Sequence, residues 1–198
     1  MNHKVIFLNS PIGSGKDYIG EALCKDYGFD MAAFKTELYI DTANHFKLDV
    51  DHFKALASGR NSKETPTDEL GGISPRDALI YVSEVLTKPV KGKDYYGKKE
   101  AAKLTKDGVT VYTDCGFKEE VMAVANKVGF NNCLLIHLKR DGCEFGDNDS
   151  RSRLDLRSYN IPSHFIDNNR DSELVVKDII KLMSYWFGDF TQMEIDFG

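Results

Sequence analysis

A lysine that follows two glycines is the part of this sequence with the clearest chemical meaning. Residues 9–17 read Asn-Ser-Pro-Ile-Gly-Ser-Gly-Lys-Asp and follow the apolar run 5–8. An amphipathic stretch comes next, so the order is strand, glycine-rich turn and helix, in which backbone N–H groups surround a phosphate at the positive end of the helix. Lys16 would reach the terminal phosphates of a nucleoside triphosphate. The sequence predicts a phosphate-binding loop that includes Ile12, Gly13, Ser14, Gly15, Lys16 and Asp17.

Two positions of this loop depart from the usual pattern G-x-x-x-x-G-K-[ST]. Ser10 stands where the first glycine is expected, and Asp17 replaces the hydroxyl residue that usually contacts Mg²⁺. The Asp17 carboxylate could bind Mg²⁺ through water or act on the acceptor of a transferred phosphate. Alternatively, it only stabilises the positive end of the helix, by about 0.3–1 kcal/mol. A glycine-rich turn with an incidental lysine is the competing interpretation of the whole segment.

A second carboxylate, Asp114, ends the β-branched run 109–114. In a parallel sheet the ligand lies beyond the carboxyl ends of the strands, so the loops there are functional by position. Asp114 is therefore a candidate for holding hydrated Mg²⁺ or for positioning the acceptor. It could also cap the helix predicted at 117–127, and the two roles do not exclude each other.

Arginines supply the positive charge that phosphoryl transfer needs. Arg76 begins a helix behind a long polar loop and could bind a phosphate bidentately, although a solvated surface position is an equal alternative. The segment 140–157 contains Arg140, Arg151, Arg153 and Arg157 between two strands. We expect it to be a lid that brings arginines to the transferred group and excludes water. An exposed charged loop is the alternative, because Asp and Glu residues in the same segment neutralise much of its positive charge.

The elements that must position these residues alternate between strands and helices. Strands are predicted at 3–9, 29–34, 109–114, 132–139 and 165–166, and helices at 16–27, 35–46, 51–57, 95–106, 117–127 and 171–187. A further helix begins with Ser74 as N-cap and is expected to end at Lys88-Pro89. This alternation indicates an α/β fold, a parallel sheet flanked by helices on both faces in three layers. We expect one domain over 1–198, with a helical substrate-binding insertion at 35–108 and the lid at 140–157.

Composition limits the classes of function. With 198 residues, of which 41% are hydrophobic and 29% charged, the chain fits a single domain with a sizeable core. A net charge of −5 argues against general attraction to DNA or anionic membranes, so we expect small-molecule partners, no stable nucleic-acid partner and no membrane. Apolar runs are too short to span a bilayer, and no secretion signal is recognisable. Four scattered cysteines indicate reduced thiols in a cytoplasm, and a homodimer is left open.

The segment Ser14-Gly15-Lys16-Asp17, with aspartate in the hydroxyl position, resembles a small branch of P-loop kinases. These are the bacteriophage-type deoxynucleoside monophosphate kinases and, more distantly, the animal-type phosphomevalonate kinases. The similarity continues in chain order through residues 34–38, 75–79, 94–98 and 111–114, and then through Arg140 and residues 165–169. It covers nearly the full length of the chain, and the phosphate-binding loop is its specific part.

The resemblance implies transfer of the γ-phosphate of ATP to a (deoxy)nucleoside monophosphate, with Mg²⁺, in the cytoplasm of a bacterial or phage-infected host. Lys16 and the loop backbone would hold ATP, and Asp17 and Asp114 would serve Mg²⁺ or the acceptor. Further predicted roles are acceptor binding for Phe34, Lys35 and Arg76, and closure over the transferred group for Arg140 with Arg151 or Arg153. The family often has an arginine shortly after the strand-end aspartate, and here Lys118 would substitute as a weaker contact.

Two other interpretations stay open. The kinase machinery could serve another acceptor, either an alcohol phosphate similar to phosphomevalonate or a hydroxymethylated base in DNA, and the acidic charge balance argues against the second. Alternatively, the chain is a non-catalytic nucleotide-binding regulator, which would need a partner surface. The segment 60–75 has no counterpart in the family, and we expect it to help select the acceptor.

Overall fold

Five parallel strands form the centre of the computed structural model, which describes residues 2–59, 61–146 and 152–188. They are β1 (Lys4–Leu8), β2 (Asp30–Ala32), β3 (Val109–Tyr112), β4 (Cys133–Lys139) and β5 (Ser163–Asp167). Their order across the sheet is β2-β3-β1-β4-β5, so β1 lies between β3 and β4. Phe7 is opposite Tyr112 on one side and Leu135 on the other. The predicted parallel α/β sheet is confirmed.

Helices connect the strands and cover the sheet. They are α1 (Lys16–Tyr27), α2 (Lys35–Phe46), α3 (Val50–Ser58), α4 (Pro75–Ile80), α5 (Lys88–Lys91), α6 (Tyr95–Lys103), α7 (Lys118–Val128) and α8 (Ser172–Phe187). The bounds of α1 and α2 are those predicted, whereas α6 ends three residues before its predicted end. Over the described ranges, none of these helices combines the length and apolar character needed to cross a membrane.

The sheet is buried on both faces, because its central strands are apolar at successive positions. In β1, Val5 and Phe7 belong to the cluster that includes the apolar side of α7. Ile6 and Leu8 belong to the opposite cluster, which includes side chains of α1 and α8. All four are fully buried, and burial of each such side chain contributes about 1.5–3 kcal/mol. The three-layer arrangement follows from this alternation.

The helix that begins at Pro75 continues past Pro89, where the sequence predicted its end. From Tyr81 to Thr87 the backbone widens into a π-helix, and the N–H of Lys88 donates to the carbonyl of Ser83. Pro89 then lies in the first turn of α5, where a missing N–H costs little. The prediction was wrong because a π-helical turn restarts the helix just before the proline.

Residues within the predicted insertion, 35–108, have a small hydrophobic cluster of their own. Phe53 and Leu70 are its largest fully buried members. Its buried residues are Ala43, Phe53, Ala57, Leu70, Ala78 and Leu79, which come from α2, α3, α4 and the loop before α4. This cluster holds the polar loop that precedes α4 against the helices.

Candidate active site

The loops that follow the strands meet at the carboxyl edge of the sheet. Because β1 lies between β3 and β4, the chain crosses from one side of β1 to the other between these two strands. Such a switch point opens a crevice outside the strand ends, which is where ligands bind in open α/β sheets. The predicted phosphate-binding loop, residues 9–17, follows β1 and therefore lies at this crevice.

The phosphate-binding loop has two positions that favour glycine. Gly13 and Gly15 have φ angles of 82° and 85°, in the left-handed region that other residues rarely adopt. Gly15 directly precedes α1 and accepts the N–H of Ile19, so the loop ends at the open N–H groups of the helix. The Lys16 side chain is buried, and its Nζ donates to the carbonyl of Pro11 at 3.2 Å. The lysine therefore closes the loop on itself.

Two polar side chains hold this loop against β4 and β5. The hydroxyl of Ser10 accepts the N–H of Leu138 at 2.7 Å. Asn168, which directly follows β5, donates from Nδ2 to the carbonyl of Ser14 at 2.6 Å, and its N–H donates to the carbonyl of Lys139 at 2.7 Å. A glycine in place of Ser10 has no hydroxyl to accept this N–H. The departure of Ser10 from the usual pattern therefore has a structural reason.

The first residues of the predicted lid lie against the phosphate-binding loop. A Cβ on Gly15 would lie 2.7 Å from Nδ2 of Asn168 and 3.5 Å from Nη1 of Arg140. A Cβ on Gly13 would lie 3.4 Å from Sγ of Cys143, one of four free cysteines, as predicted for reduced thiols. Arg140 is thus brought to the N-terminus of α1. Its role in closing over a transferred group stays a prediction, which this position suits.

The carboxylate of Asp114 caps α2, the helix that follows β2. Its two oxygens accept the N–H groups of Phe34 at 3.0 Å and Lys35 at 2.9 Å. A carboxylate is stabilised at the positive end of a helix, and β3 is the sheet neighbour of β2, which brings the two loops together. The cap predicted for Asp114 was at the helix after its own strand. A carboxylate oxygen accepts more than one hydrogen bond, so capping and binding of a hydrated cation are compatible.

Glu37, in the same first turn of α2, is held between two lysines of α6. Its carboxylate lies 2.9 Å from Nζ of Lys99 and 2.8 Å from Nζ of Lys103. Lys103 also lies 2.6 Å from the carboxylate of Glu100. Burial would raise the pKa of Glu37, but hydrogen bonds from Lys103 and Lys99 outweigh it and hold that pKa below its ordinary value. This network fixes the start of α2 and with it the N–H groups that bind Asp114.

The two carboxylates predicted to serve Mg²⁺ differ in environment. Asp17 is exposed in the first turn of α1, whereas Asp114 is partly buried beneath the start of α2. The residues that the structure describes contain no group of three or more His, Cys, Asp or Glu that could hold a metal ion. Mg²⁺ usually keeps several waters and binds through one or two carboxylates together with substrate phosphates. The donors present fit a site of that kind, completed by a nucleotide.

Two residues predicted to bind the acceptor are engaged with neighbours. Arg76 lies in the first turn of α4, and its Nε donates to the carboxylate of Glu64 at 2.6 Å, with 35% of the arginine side chain exposed. Lys118 begins α7 and is exposed, and its Nζ lies 4.7 Å from the ring centroid of Tyr159. A hydrogen bond with Tyr159 raises the pKa of Lys118, so the lysine is charged. Both cations stay candidates for contact with an anionic acceptor.

Phe34 and Lys35, also predicted to bind the acceptor, contact Asp114 through their backbone. The ring of Phe34 is buried and stacks on Tyr112 with centroids 4.7 Å apart. Lys35 is exposed at the first position of α2. Their acceptor roles stay predictions, and an acceptor would meet the side chain of Lys35 rather than the buried ring of Phe34.

Arg153, another predicted catalytic arginine, lines a cavity of about 270 Å³ beside the phosphate-binding loop. Its guanidinium carbon lies 5.7 Å from the ring centroid of Phe165, and Nζ of Lys139 lies 4.6 Å from the same centroid. Asn9 and Pro11 line the cavity on the side of the loop. Three cations line the cavity, Lys139, Arg140 and Arg153, together with two carboxylates, Asp141 and Glu144. The cations are the groups that would contact an anionic ligand. Arg151 lies outside the described residues.

Sequence reasoning missed three polar residues that organise this edge. Asn9 and Asn168 directly follow β1 and β5, and His137 lies in β4; all three are buried. His137 Nδ1 is 3.0 Å from the carbonyl of Asn9 and must donate, because a carbonyl only accepts. Burial lowers the pKa of His137, so the ring is neutral at pH 7. The available signal was the position of both asparagines directly after a strand, at the carboxyl edge of the sheet.

The fold and the loop define the class of this protein, an α/β protein with a parallel sheet and a glycine-rich loop between its first strand and α1. Comparison with protein-family models and with curated proteins gives no match. Solved structures with a similar fold include a gluconokinase from Sinorhizobium meliloti, with 10% identity, a TM-score of 0.46 and 92% of each chain covered. Shikimate kinase from Aquifex aeolicus has 13% identity and a TM-score of 0.47, over 93% of this chain and 99% of the other.

A third similar structure is the YorR protein of Bacillus subtilis in complex with phosphorylated GDP. It has 13% identity and a TM-score of 0.43, over 91% of this chain and 96% of the other. With identities and TM-scores this low, the substrates of these proteins say nothing about the substrate of this chain. The activity of this chain is therefore argued below from its own residues.

Proposed function

We propose that this protein is an ATP-dependent kinase that transfers the γ-phosphate of ATP to a (deoxy)nucleoside monophosphate. The observation that carries the proposal is the meeting of Lys16, the N-terminus of α1 and Arg140 at one glycine-rich loop. A lysine and a loop suffice to bind a nucleotide. An arginine from a second loop suits the negative charge on a phosphoryl group during transfer. The nucleotide acceptor is supported by the resemblance of the sequence to monophosphate kinases.

On the donor side, phosphates would replace the partners that the loop now supplies to itself. Nζ of Lys16 donates to the neutral carbonyl of Pro11, and a phosphate oxygen is a stronger, charge-assisted acceptor. Asn168 binds the carbonyl of Ser14, and in a trans peptide the N–H of Gly15 points the opposite way. Asn168 therefore helps to turn the N–H of Gly15 toward the side where phosphates would bind.

On the acceptor side, Asp114 and Arg76 provide opposite charges for two parts of the acceptor. Arg76 donates from Nε to the exposed carboxylate of Glu64, and a phosphate would offer its guanidinium a bidentate partner instead. Asp114 would accept from a water of hydrated Mg²⁺ at the start of α2, and through that water it would orient the attacking phosphate group. Bound Mg²⁺ would shield the charge of the phosphates. Asp17, exposed beside Lys16, is the second carboxylate that would accept from its waters.

A screen of ATP consumption with Mg²⁺ tests the proposal. The acceptors are the common ribonucleoside and deoxynucleoside monophosphates, with phosphomevalonate and a hydroxymethylated DNA duplex alongside. We expect one or a few monophosphates to be converted to diphosphates, and the Lys16→Ala variant to lose about 100-fold or more of kcat/KM without loss of helical circular dichroism. Transfer to phosphomevalonate or DNA alone would overturn the choice of acceptor. Binding of ATP without transfer to any acceptor would indicate a regulator.

Arg76 distinguishes the acceptor side from the donor side. We expect Arg76→Ala to raise the KM for the monophosphate about tenfold or more and to leave the KM for ATP unchanged, because one phosphate clamp is lost. Lys54→Ala is the matched control, since Lys54 is an exposed cation of the same region that pairs with Asp51. Equal KM values for the acceptor in both variants would contradict the assignment of Arg76.

A further inference from the structure

Asn9 joins three loops of the carboxyl edge through a single buried amide. Its side chain is fully buried. Nδ2 donates to the carbonyl of Cys115 at 2.8 Å, in the loop after β3, and to the carbonyl of Ser152 at 2.9 Å. Oδ1 accepts the N–H of Leu154 at 2.9 Å. Both amide hydrogens and the amide oxygen of Asn9 are therefore used, and each partner is a backbone group.

Two of these hydrogen bonds join Asn9 to the C-terminal part of the predicted lid, at the residues before and after Arg153. Ser152 gives its carbonyl and Leu154 its N–H, so the Asn9 amide fixes the backbone before and after this arginine. Leu154 is buried in the sheet cluster that includes Val5 and Phe7, which adds an apolar anchor directly after the arginine. The exposed side chain of Arg153 extends to the cavity that Asn9 also lines.

An asparagine is needed here for chemical reasons. Aspartate keeps the shape and the acceptor for Leu154 but has no hydrogen to donate to Cys115 and Ser152 when ionised. Alanine leaves the buried carbonyl of Cys115 and the buried N–H of Leu154 unsatisfied, and each such group costs about 1–3 kcal/mol. It also removes the partner of the part-buried carbonyl of Ser152. The backbone of Asn9 is itself held, because its N–H donates to Ile136 at 2.9 Å and its carbonyl accepts from His137. The amide is therefore a fixed reference point next to the phosphate-binding loop.

We propose that Asn9 is a positioning residue that holds Arg153 in register with the phosphate-binding loop, so that its guanidinium reaches the transferred phosphoryl group. This inference rests on the proposed function for its kinetic consequence. The register itself rests on the hydrogen bonds alone. A displacement of about 1 Å in a group that stabilises a transition state costs up to about 100-fold in rate. Asn9 therefore acts on kcat through Arg153 and not through contact with a substrate.

The test combines hydrogen exchange with kinetics in the full-length protein. In Asn9→Ala we expect the backbone amide of Leu154 to exchange faster, and in Asn9→Asp we expect it to stay protected, because the carboxylate still accepts. Both variants should lose about 10- to 100-fold in kcat while the KM for ATP changes less than about threefold. Asn132→Ala is the control. Asn132 directly precedes β4, at the amino ends of the strands, and it donates to the carbonyl of Val128 at 2.8 Å.

A double-variant cycle decides whether the effect passes through Arg153. In the Arg153→Ala background, Asn9→Asp should change kcat by less than about threefold, because there is no guanidinium left to position. The inference would be overturned if Asn9→Asp lowered kcat in that background as much as it does in the wild type. It would also be overturned if Arg153→Ala by itself left kcat unchanged. If the wild-type chain transfers no phosphate at all, the proposed function fails. In that case hydrogen exchange still tests the register. An unchanged exchange rate of the Leu154 amide in Asn9→Ala would show that Asn9 does not hold this backbone in place.

Discussion

A buried carboxylate at the start of α7 makes the stability of this protein depend on pH in a predictable direction. Glu120 is 5% exposed, and Nζ of Lys88 lies 3.9 Å from its carboxylate. Burial raises the pKa of Glu120 to about 8, and the charges of Asp114, Glu84 and Glu119 add to the shift, whereas Lys88 opposes it. Lys88 is itself closer to Glu84, at 2.7 Å. Glu120 is therefore protonated in the folded state at neutral pH.

The sign and size of the effect follow from the two pKa values. The ordinary pKa of 4.5 applies to the unfolded chain, and the folded chain keeps the proton up to about pH 8. Between these values the unfolded state has released the proton and the folded state has not, so stability falls as the pH rises. The contribution is fully present below pH 4.5 and is lost as the pH rises through about 8. At about 1.4 kcal/mol per pH unit, the ceiling of the loss is about 5 kcal/mol.

Urea denaturation between pH 5 and pH 9 measures this loss. Glu120→Gln keeps a neutral side chain of the same shape, so we expect its free energy of unfolding to decline less with pH than that of the wild type. The difference should grow to several kcal/mol by pH 9, with a ceiling of about 5 kcal/mol. Glu119→Gln, one position earlier and exposed, is the matched control and should stay close to the wild type, because the charge of Glu119 is the smallest of the contributions to the raised pKa of Glu120. A Glu120→Gln profile parallel to that of the wild type would refute the reasoning.

Two further substitutions test the cap on α2 and the contact between α6 and α7. Asp114→Asn should lose about 1–2 kcal/mol of stability and at least tenfold in Mg²⁺-dependent kcat, because the amide nitrogen cannot accept an N–H of α2. Urea denaturation measures the first effect, and kinetics at several Mg²⁺ concentrations measure the second. Full activity of the variant would contradict a role of Asp114 in the site. Gly97→Ala should lower the melting temperature by several degrees, because its Cβ would overlap the backbone of Glu120. Gly146→Ala, where a Cβ meets open space, is the control for the thermal melt and should leave the melting temperature unchanged.

The elements of this fold were predictable because local signals agree with the tertiary structure. α1 begins after Gly15 and ends before Gly28, both in the left-handed conformation, and its predicted bounds are those observed. The N-cap at Ser74 is confirmed by its hydroxyl, which accepts the N–H of Asp77. The continuation past Pro89 was not predictable, because a π-helical turn depends on how α4 packs rather than on a residue pattern. Local chemistry therefore fixed both ends of α1, whereas packing decided the continuation past Pro89.

The arrangement of the site depended on strand order, which the sequence pattern does not contain. Apart from Arg76, the predicted residues were assigned to loops at strand ends, and the structure shows which strand ends are neighbours. Because β3 lies beside β2, Asp114 binds the start of α2, and because β4 lies beside β1, Arg140 reaches Gly15. Asn9 was missed for the same reason, since its three partners are far away in sequence and meet only when β1 is central. A site made of backbone partners leaves no side-chain motif to recognise, so the strand-end asparagine was its only signal in the sequence.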